Sequence, residues 1–504
     1  MISLTLHEDF NNQLKNLPNG LQSLTLGGEF NQKLENLPNS LQSLTLGFDF
    51  NQKLENLPNS LQTLTLGGKF NKKLENLPNN LQSLTLGCDF NRKLENLPDS
   101  LRDLTLGLEF NKKLENLPNN LRSLTLDFNF NQKLENLPNS LQSLRLGYKF
   151  NQKLKNLPNS LQELILCRDF NQKLDNLPNS LQSFTFNNMD RKLENLPNNL
   201  QSLTFGHNFN QSLENLPNSL QSLTLGYSFN RKLENLPNNL QSLTLSGFNQ
   251  KLQGLPCGLQ NLTLDRFNKK LENLPNSLQS LTLDRFNKKL ENLPNSLRNL
   301  TLGKRFNQKL ENLPNSLQSL TFNNSSIFNQ ELENLPNSLQ NLNLGCHFNR
   351  KLENLPNNLQ NLTLSWHFDQ KLENLPNSLR SLTLGHNFNQ KLENLPYGLQ
   401  SLIMGWNFNQ KLENLPNSLQ ILTLGHNFNQ KLNTCLALPK LQNLTITNNY
   451  EGNIPVIFGT TVEVDKIYFV GKINEFKLHY DFYVWKSDFN EWKNIFYKSI
   501  KNLL

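Results

Sequence analysis

The sequence predicts a repeat solenoid, mainly β, in which short parallel strands line one side and extended segments and turns form the other. Three observations predict it. The tripeptide Asn-Leu-Pro recurs at one fixed step, as at Pro18, Pro38 and Pro58, and continues at nearly the same step to Pro416. Each unit also carries Leu-x-x-Leu-x-Leu, an alternation typical of a strand with one buried face. Finally, a unit this short cannot bury its own apolar face, so its stability must come from stacked neighbours.

The unit formed by residues 41–60 shows how one copy is expected to fold. Leu44 and Leu46 flank Thr45, so the two leucines point inward while the threonine points outward. Gly47 then opens a turn. The other side chains expected to point inward are Phe50, Leu54, Leu57 and Leu61 of the next copy.

The second half of each unit is expected to be extended and turn-rich rather than helical. Pro58 pushes the backbone of Leu57 toward β or polyproline geometry. Asparagine side chains in this half compete for local backbone hydrogen bonds. We therefore expect Asn51, Asn56 and Asn59 to bond backbone groups from copy to copy.

The chain divides into a repeat domain and a C-terminal piece. Residues 1–449 form the predicted solenoid of about 22 units, counted from the recurring prolines. Residues 450–504 are expected to form a small α/β cap. Residues 454–483 are strand-like, and a helix follows from Ser487 or Asp488 to the C-terminus. This piece is expected to close the exposed end of the solenoid; the alternative is a helix that docks a partner or a membrane surface.

Charge and cysteine content narrow the function classes. The net charge is +8 over 504 residues, and most lysines have an acidic neighbour in the same repeat, as Lys53 has Glu55. This balance predicts no nucleic-acid partner. The 5 cysteines are scattered, which favours reduced thiols. The chain shows neither a signal peptide nor a membrane span, so we expect an intracellular, cytoplasmic protein.

The repeat Phe-Asn-Gln-Lys-Leu-Glu-Asn-Leu-Pro-Asn-Ser-Leu-Gln-Ser-Leu-Thr-Leu-Gly resembles the FNIP repeat over roughly residues 4 to 449. Gln52-Lys53 stands where the family's name has Ile-Pro, and the step is slightly shorter than the common unit. The Leu-Pro-x-x-Leu-x-x-Leu-x-Leu stretch is also similar to short bacterial leucine-rich repeats with extended convex sides. Both resemblances imply a leucine-rich-repeat-like architecture.

FNIP repeats are abundant in social amoebae and in giant DNA viruses that infect amoebae. For a viral member, the expected location is the host cytoplasm. Relatives in this family often carry an N-terminal F-box, which implies that they are substrate receptors for a ubiquitin ligase. The resemblance therefore makes ubiquitin-ligase components possible partners. The strand-like Leu4-Thr5-Leu6 begins almost at the first residue, and this chain shows no F-box segment.

Variation between the copies concentrates directly after the strand, at one position that recurs with each regular proline. Aromatic and amphipathic side chains at this position are typical of interface hot spots. The alternative is that these rings stack on one another and shield the turn without a ligand. The candidate protein-binding residues are Phe128, Tyr148, His207, Tyr227, Cys346, Trp366, His386, Trp406 and His426.

Length changes fall in the same turn, where insertions often mark the binding edge of a solenoid. Units near Ser246 and Asp265 have lost one residue, whereas the loop 323–327 has gained two. A surface loop also tolerates such changes at small entropic cost. The shortened units are expected to alter curvature locally.

The sequence predicts no catalytic residues, cofactor or metal. It lacks a His-Glu-x-x-His motif, a nucleophile elbow and a phosphate-binding loop. His386 and His426, with Trp406 between them, lack a third metal ligand. The function predicted is a non-enzymatic protein-interaction scaffold that binds its partner on the concave face and the variable turn. The alternatives are a ubiquitin-ligase substrate receptor and a structural or virion protein without a specific ligand.

Overall fold

The computed structural model describes residues 2–174, 176–187, 195–430 and 438–447, together with the strand 461–465. These residues form 24 short strands and no helix. They fall into two compact units. The strands of the first unit are β1 Ser3–Thr5, β2 Ser23–Thr25, β3 Ser43–Thr45, β4 Thr63–Thr65, β5 Ser83–Thr85, β6 Asp103–Leu106, β7 Ser123–Leu126, β8 Ser143–Leu146, β9 Glu163–Leu166, β10 Ser183–Phe186, β11 Ser202–Phe205, β12 Ser222–Leu225 and β13 Ser242–Leu245. The strands of the second unit are β14 Asn261–Leu264, β15 Ser280–Leu283, β16 Asn299–Leu302, β17 Ser319–Phe322, β18 Asn341–Leu344, β19 Asn361–Thr363, β20 Ser381–Thr383, β21 Ser401–Ile403, β22 Ile421–Thr423, β23 Asn443–Thr447 and β24 Thr461–Asp465.

Within each unit, every strand pairs in parallel with the next strand along the chain. Equivalent residues lie opposite each other, as Leu44 and Leu64 do in the first unit. Leu320 and Leu342 keep this register in the second unit although the loop between them is longer. The predicted parallel β-solenoid is confirmed.

The core of each repeat is a layer of leucines beside a column of phenylalanines. Leu44 and Phe50 are fully buried, whereas Thr45 is half-buried on the outer face of the strand. Leu57 is only half-buried, although equivalents in the second unit such as Leu375 are buried, and Pro58 is buried beside it. The repeat therefore buries its apolar groups nearly as the alternation predicts.

The phenylalanine rings are spaced more widely than the strands. Phe50 and Phe70 stack with centroids 6.1 Å apart in the first unit, and Phe286 and Phe306 are 6.3 Å apart in the second. Neighbouring parallel strands lie only about 4.8 Å apart. Successive repeats of each unit thus spread toward the phenylalanines, and the strands occupy the inner, concave side.

Two residue types shape the turns. Asn56 has a φ of 58°, a left-handed conformation in which asparagine is among the few tolerated residues. Gly47 packs against the preceding repeat so closely that a Cβ would fall 1.9 Å from the carbonyl oxygen of Gly27. Only a residue without a side chain fits there.

Polar side chains link one turn to the next, as predicted for Asn51. The Asn31 Oδ1 accepts the Asn51 N–H at 2.9 Å, and the Asn51 Oδ1 accepts the next such N–H at 3.1 Å. The hydroxyl of Ser60 donates to the Leu41 carbonyl at 2.6 Å. Asn59 takes part through its carbonyl, which accepts from the Asn80 side chain at 2.9 Å. These hydrogen bonds satisfy backbone N–H and C=O groups that lie outside the short strands.

Strand β24 lies inside the predicted C-terminal cap and extends the parallel sheet beyond β23. The terminal helix predicted from Ser487 or Asp488, and the rest of the strand-like segment, lie outside the described residues. In the part of the chain that is described, no helix has the length and apolar character needed to cross a bilayer.

Candidate protein-interaction surface

The variable residues follow the strands, in a turn that is fixed from repeat to repeat. The Asn387 N–H donates to the Trp366 carbonyl, and the Asn407 N–H donates to the His386 carbonyl, each at 2.9 Å. The Asn427 N–H donates to the Trp406 carbonyl at 2.9 Å. Side chains at equivalent positions of successive repeats therefore lie side by side at the edge of the sheet.

Four rings form one continuous stack, which we call the aromatic rim: Trp366, His386, Trp406 and His426. The ring centroids of Trp366 and His386 are 4.0 Å apart, and those of His386 and Trp406 are 5.7 Å apart. Trp406 and His426 are 3.9 Å apart. All three pairs lie within 24° of parallel. The structure thus brings together the four rings that the sequence placed in one column.

Stacking leaves the two tryptophans of the aromatic rim half exposed. Trp366 retains 52% and Trp406 48% of its accessible surface, whereas His386 and His426 are partly covered. Each stacked aromatic pair contributes about 0.5–1.5 kcal/mol beyond its buried area. The rim is therefore held in place by its own contacts and still presents indole surface to solvent.

The other aromatic candidates form two separate pairs in the first unit. Phe128 and Tyr148 stack with centroids 4.8 Å apart, and Lys149 lies 5.3 Å from the Phe128 ring. His207 and Tyr227 meet edge to face at 4.8 Å. Each pair covers two turns only, so it offers a smaller ring surface than the aromatic rim.

Two exposed isoleucines, which we call the isoleucine pair, were missed at the level of sequence. Ile403 on β21 is 36% exposed and Ile421 on β22 is 38% exposed. Both point outward from the concave face at positions where most repeats carry threonine or serine. Ile403 lies one short turn before Trp406 of the rim. The replacement of a repeated hydroxyl residue by isoleucine was the available signal.

Cys346 does not belong to the aromatic rim. It lies beside two histidines of the same and the next turn, His347 and His367, and one ligand atom from each residue lies within 4.8 Å of the others. From the sequence, only the histidines of the rim were considered as metal ligands, so this cluster was missed. Its signal is a Cys-His pair followed one repeat later by a histidine in the same column.

Two ionisable groups along the same edge of the first unit have raised pKa values. Burial raises the pKa of the Cys167 thiol, although the nearby Arg145 opposes that effect. A hydrogen bond to Asp49 raises the pKa of Lys69, and their charged atoms lie 2.7 Å apart. A raised thiol pKa leaves less of the nucleophilic thiolate at Cys167.

Comparison with known proteins identifies the repeat. A curated-protein search finds no match to this chain. The family model for the FNIP repeat matches it along most of its length, at residues 10–49, 30–69, 50–89, 70–109, 110–149, 150–189, 190–228, 209–248, 248–285, 286–325, 328–366, 348–387, 368–407, 388–425 and 408–449.

A solved structure shows a similar architecture. The chain is similar to CroV588, a giant-virus protein whose crystal structure is described as a novel circular leucine-rich-repeat protein, with 44% identity and a TM-score of 0.64. That similarity covers 91% of this chain and 78% of CroV588.

YopM from Yersinia enterocolitica shares 22% identity at a TM-score of 0.39, over 92% of this chain and 91% of YopM. The Leptospira interrogans protein LIC12759 shares 22% at 0.32, over 76% and 89%. The fold assignment does not rest on these two proteins. The repeat model and the CroV588 similarity agree with the fold described above: this chain belongs to the FNIP repeat family and has a leucine-rich-repeat-like fold.

Proposed function

We propose that this protein is an interaction scaffold whose protein partner packs apolar side chains against the aromatic rim and the isoleucine pair. One observation carries the proposal. Trp366 and Trp406 are 52% and 48% exposed although their positions are fixed by stacking. Tryptophan is among the residue types most enriched in binding hot spots.

Fixed side chains favour binding because they lose little conformational freedom when a partner arrives. Ordering one mobile, rotamer-rich side chain at an interface costs about 0.5–1.5 kcal/mol. His386 is stacked between the two tryptophans, so much of this cost is already met in the free protein. The rim is a preorganised anchor surface.

The strand face beside the rim indicates the chemistry of the partner. The outward positions of β19 to β22 carry asparagine, serine, threonine and isoleucine, and none of them is charged. At these strand positions a phosphate backbone would find no cation, and Arg380, which directly precedes β20, already donates to the Gly398 carbonyl at 2.9 Å. An uncharged, partly apolar protein segment fits this surface, with Ile403 and Ile421 extending the apolar area from the rim onto the concave face.

The test is a quantitative affinity purification of the full chain from the cells in which it is made. The variant combines Trp366→Ala with Trp406→Ala. Its matched control combines Phe48→Ala with Leu108→Ala, which removes exposed apolar side chains from the same turn position in the first unit. Circular dichroism confirms that both variants fold.

The proposal predicts that partners recovered with the wild type and the control fall at least tenfold with the tryptophan variant, a loss equivalent to about 1.4 kcal/mol or more. Equal recovery by all three proteins would refute it. Co-recovery of adaptor and cullin subunits would support the ubiquitin-ligase alternative. Presence of the chain in purified particles without a partner that depends on the rim would support a structural role instead.

A further inference from the structure

Three metal-ligating side chains converge on the turns that follow β18 and β19. One ligand atom from each of Cys346, His347 and His367 lies within 4.8 Å of the others. The backbone brings these turns together, because the His367 N–H donates to the Cys346 carbonyl at 3.0 Å. The two imidazole rings are 5.1 Å apart and tilted by 49°. The cysteine is a free thiol.

Thiolate and imidazole are the ligands that Zn²⁺ prefers in proteins. With Zn–S near 2.3 Å and Zn–N near 2.1 Å, one sulfur and two nitrogen ligands in a tetrahedral site lie about 3.4–3.6 Å apart. Since the three ligand atoms all lie within 4.8 Å of one another, they must approach by no more than about 1.4 Å. His347 and His367 are exposed and Cys346 is half-buried, so rotation of the side chains can supply this movement.

The backbone holds the imidazole of His347 at one ring nitrogen. Its Nδ1 lies 3.0 Å from the carbonyl oxygen of Ser326, which accepts a hydrogen bond and so fixes the ring proton on Nδ1. The lone pair of Nε2 is then free for a metal, the usual arrangement in which a carbonyl orients a ligating histidine. Ser326 is fully buried, and its hydroxyl accepts the Phe328 N–H at 3.2 Å. The lengthened loop 323–327 thus supplies a rigid support for this ligand.

His367 stands at the end of a ladder of side-chain amides. Asn427 donates to Asn407 at 2.9 Å, Asn407 donates to Asn387 at 3.3 Å, and the Asn387 amide lies 3.2 Å from Nδ1 of His367. An ion bound at Nδ1 takes the place of that amide. If Nε2 binds the ion, the Asn387 amide turns so that its oxygen accepts the Nδ1 proton. The second arrangement replaces the hydrogen bonds that the Asn387 oxygen makes with His386 and Asn407.

We propose that Cys346, His347 and His367 bind one Zn²⁺ ion, with the fourth coordination position open to water or to a donor atom of a bound molecule. Sites with three protein ligands keep such an open position. The site lies on the same turn as Trp366 of the aromatic rim. It requires no protein partner, so metal binding by the isolated chain tests it independently of the proposed scaffold function.

The test is a titration of the full, reduced chain with Co²⁺, followed by displacement with Zn²⁺. Thiolate ligation to Co²⁺ gives a sulfur-to-metal charge-transfer absorption. The variants are Cys346→Ser, His347→Gln and His367→Gln. The matched controls are Cys88→Ser, at the same turn position in the first unit, and His207→Gln. Thermal unfolding with and without Zn²⁺ gives a second readout.

The proposal predicts one Co²⁺ per chain with a charge-transfer band that Zn²⁺ abolishes. Cys346→Ser removes the band, and each histidine variant weakens Co²⁺ affinity at least tenfold, whereas both controls behave as the wild type. Zn²⁺ raises the melting temperature of the wild type but not of Cys346→Ser. A band that survives Cys346→Ser, or an affinity unchanged when both histidines are replaced together, would overturn the proposal.

Discussion

The indole of Trp366 lies face to face with the imidazole of His386, with centroids 4.0 Å apart and planes 9° from parallel. The two residues are one full repeat apart in the sequence. The parallel register of β19 and β20 makes them neighbours, because it superimposes each residue on its equivalent in the next repeat. A column in the sequence is therefore a continuous surface in the structure, and a local change of residue type becomes a local patch.

The close packing of successive turns makes one glycine far more sensitive than another. We expect Gly47→Ala to lower the free energy of unfolding by about 2 kcal/mol or more, since overpacking costs about 1–3 kcal/mol and the new Cβ would lie 1.9 Å from a carbonyl oxygen. Gly28→Ala is the control, because nothing lies within 4 Å of a Cβ there. Urea denaturation measures both; equal losses would contradict the packing described.

The phenylalanine column should carry much of the stability. Phe70 is fully buried between its stacked neighbours, so Phe70→Ala is expected to cost about 3–5 kcal/mol. Phe48 is 56% exposed, and Phe48→Ala is expected to cost less than about 1 kcal/mol. The free energies of unfolding from urea titrations check this. A small cost for Phe70→Ala would show that the ring stack is not a principal part of the core.

The left-handed backbone conformation of Asn56 predicts that glycine is tolerated better than alanine at this position. Asn56 has a φ of 58°, so we expect Asn56→Ala to destabilise the chain by about 1–2 kcal/mol. Asn56→Gly should be tolerated, because glycine adopts this conformation without strain. Thermal unfolding of the two variants is the measurement. The interpretation fails if the alanine variant is as stable as the glycine variant.

Cysteine reactivity follows the surroundings of each thiol. Burial raises the pKa of Cys167, so a smaller fraction of it is thiolate at pH 8 than for a thiol with an ordinary pKa. Cys257 is exposed to solvent. Iodoacetamide at pH 8 should therefore modify Cys257 well before Cys167, with the order read by peptide mass spectrometry. Raising the pH should reduce the difference between the modification rates of the two cysteines. Faster modification of Cys167 than of Cys257 would contradict this interpretation.

Much of the fold could be predicted because the same alternation of apolar and polar residues recurs in every repeat. The alternation of Leu44, Thr45 and Leu46, recurring once in every repeat, leaves a parallel solenoid as the way to bury each leucine. The left-handed turn at Asn56 was not predicted, since asparagine also suits several other turn conformations. The role of Gly47 likewise depends on how closely the repeats stack, which residue spacing alone does not state.

The candidate surface was only partly predictable. The four rings of the aromatic rim share one sequence column, so their proximity followed from the period. Ile403 and Ile421 occupy strand positions that usually carry small hydroxyl residues. They lie outside the variable turn, so the variation in that turn did not predict them. The convergence of His347 and His367 depended on a column next to the variable one, and the support from Ser326 depended on the fold of a lengthened loop.

Photo-crosslinking tests the central claim most directly. A photo-crosslinking amino acid is placed at Asn427, an exposed residue beside the aromatic rim, or at Asp89, the exposed equivalent position in a first-unit repeat. The account predicts that the chain carrying the probe at Asn427 captures one specific protein on irradiation. Adding Trp366→Ala and Trp406→Ala should abolish that capture, and the probe at Asp89 should not yield it. Equal capture from both positions, or capture that survives loss of both tryptophans, would contradict an interaction surface at the aromatic rim.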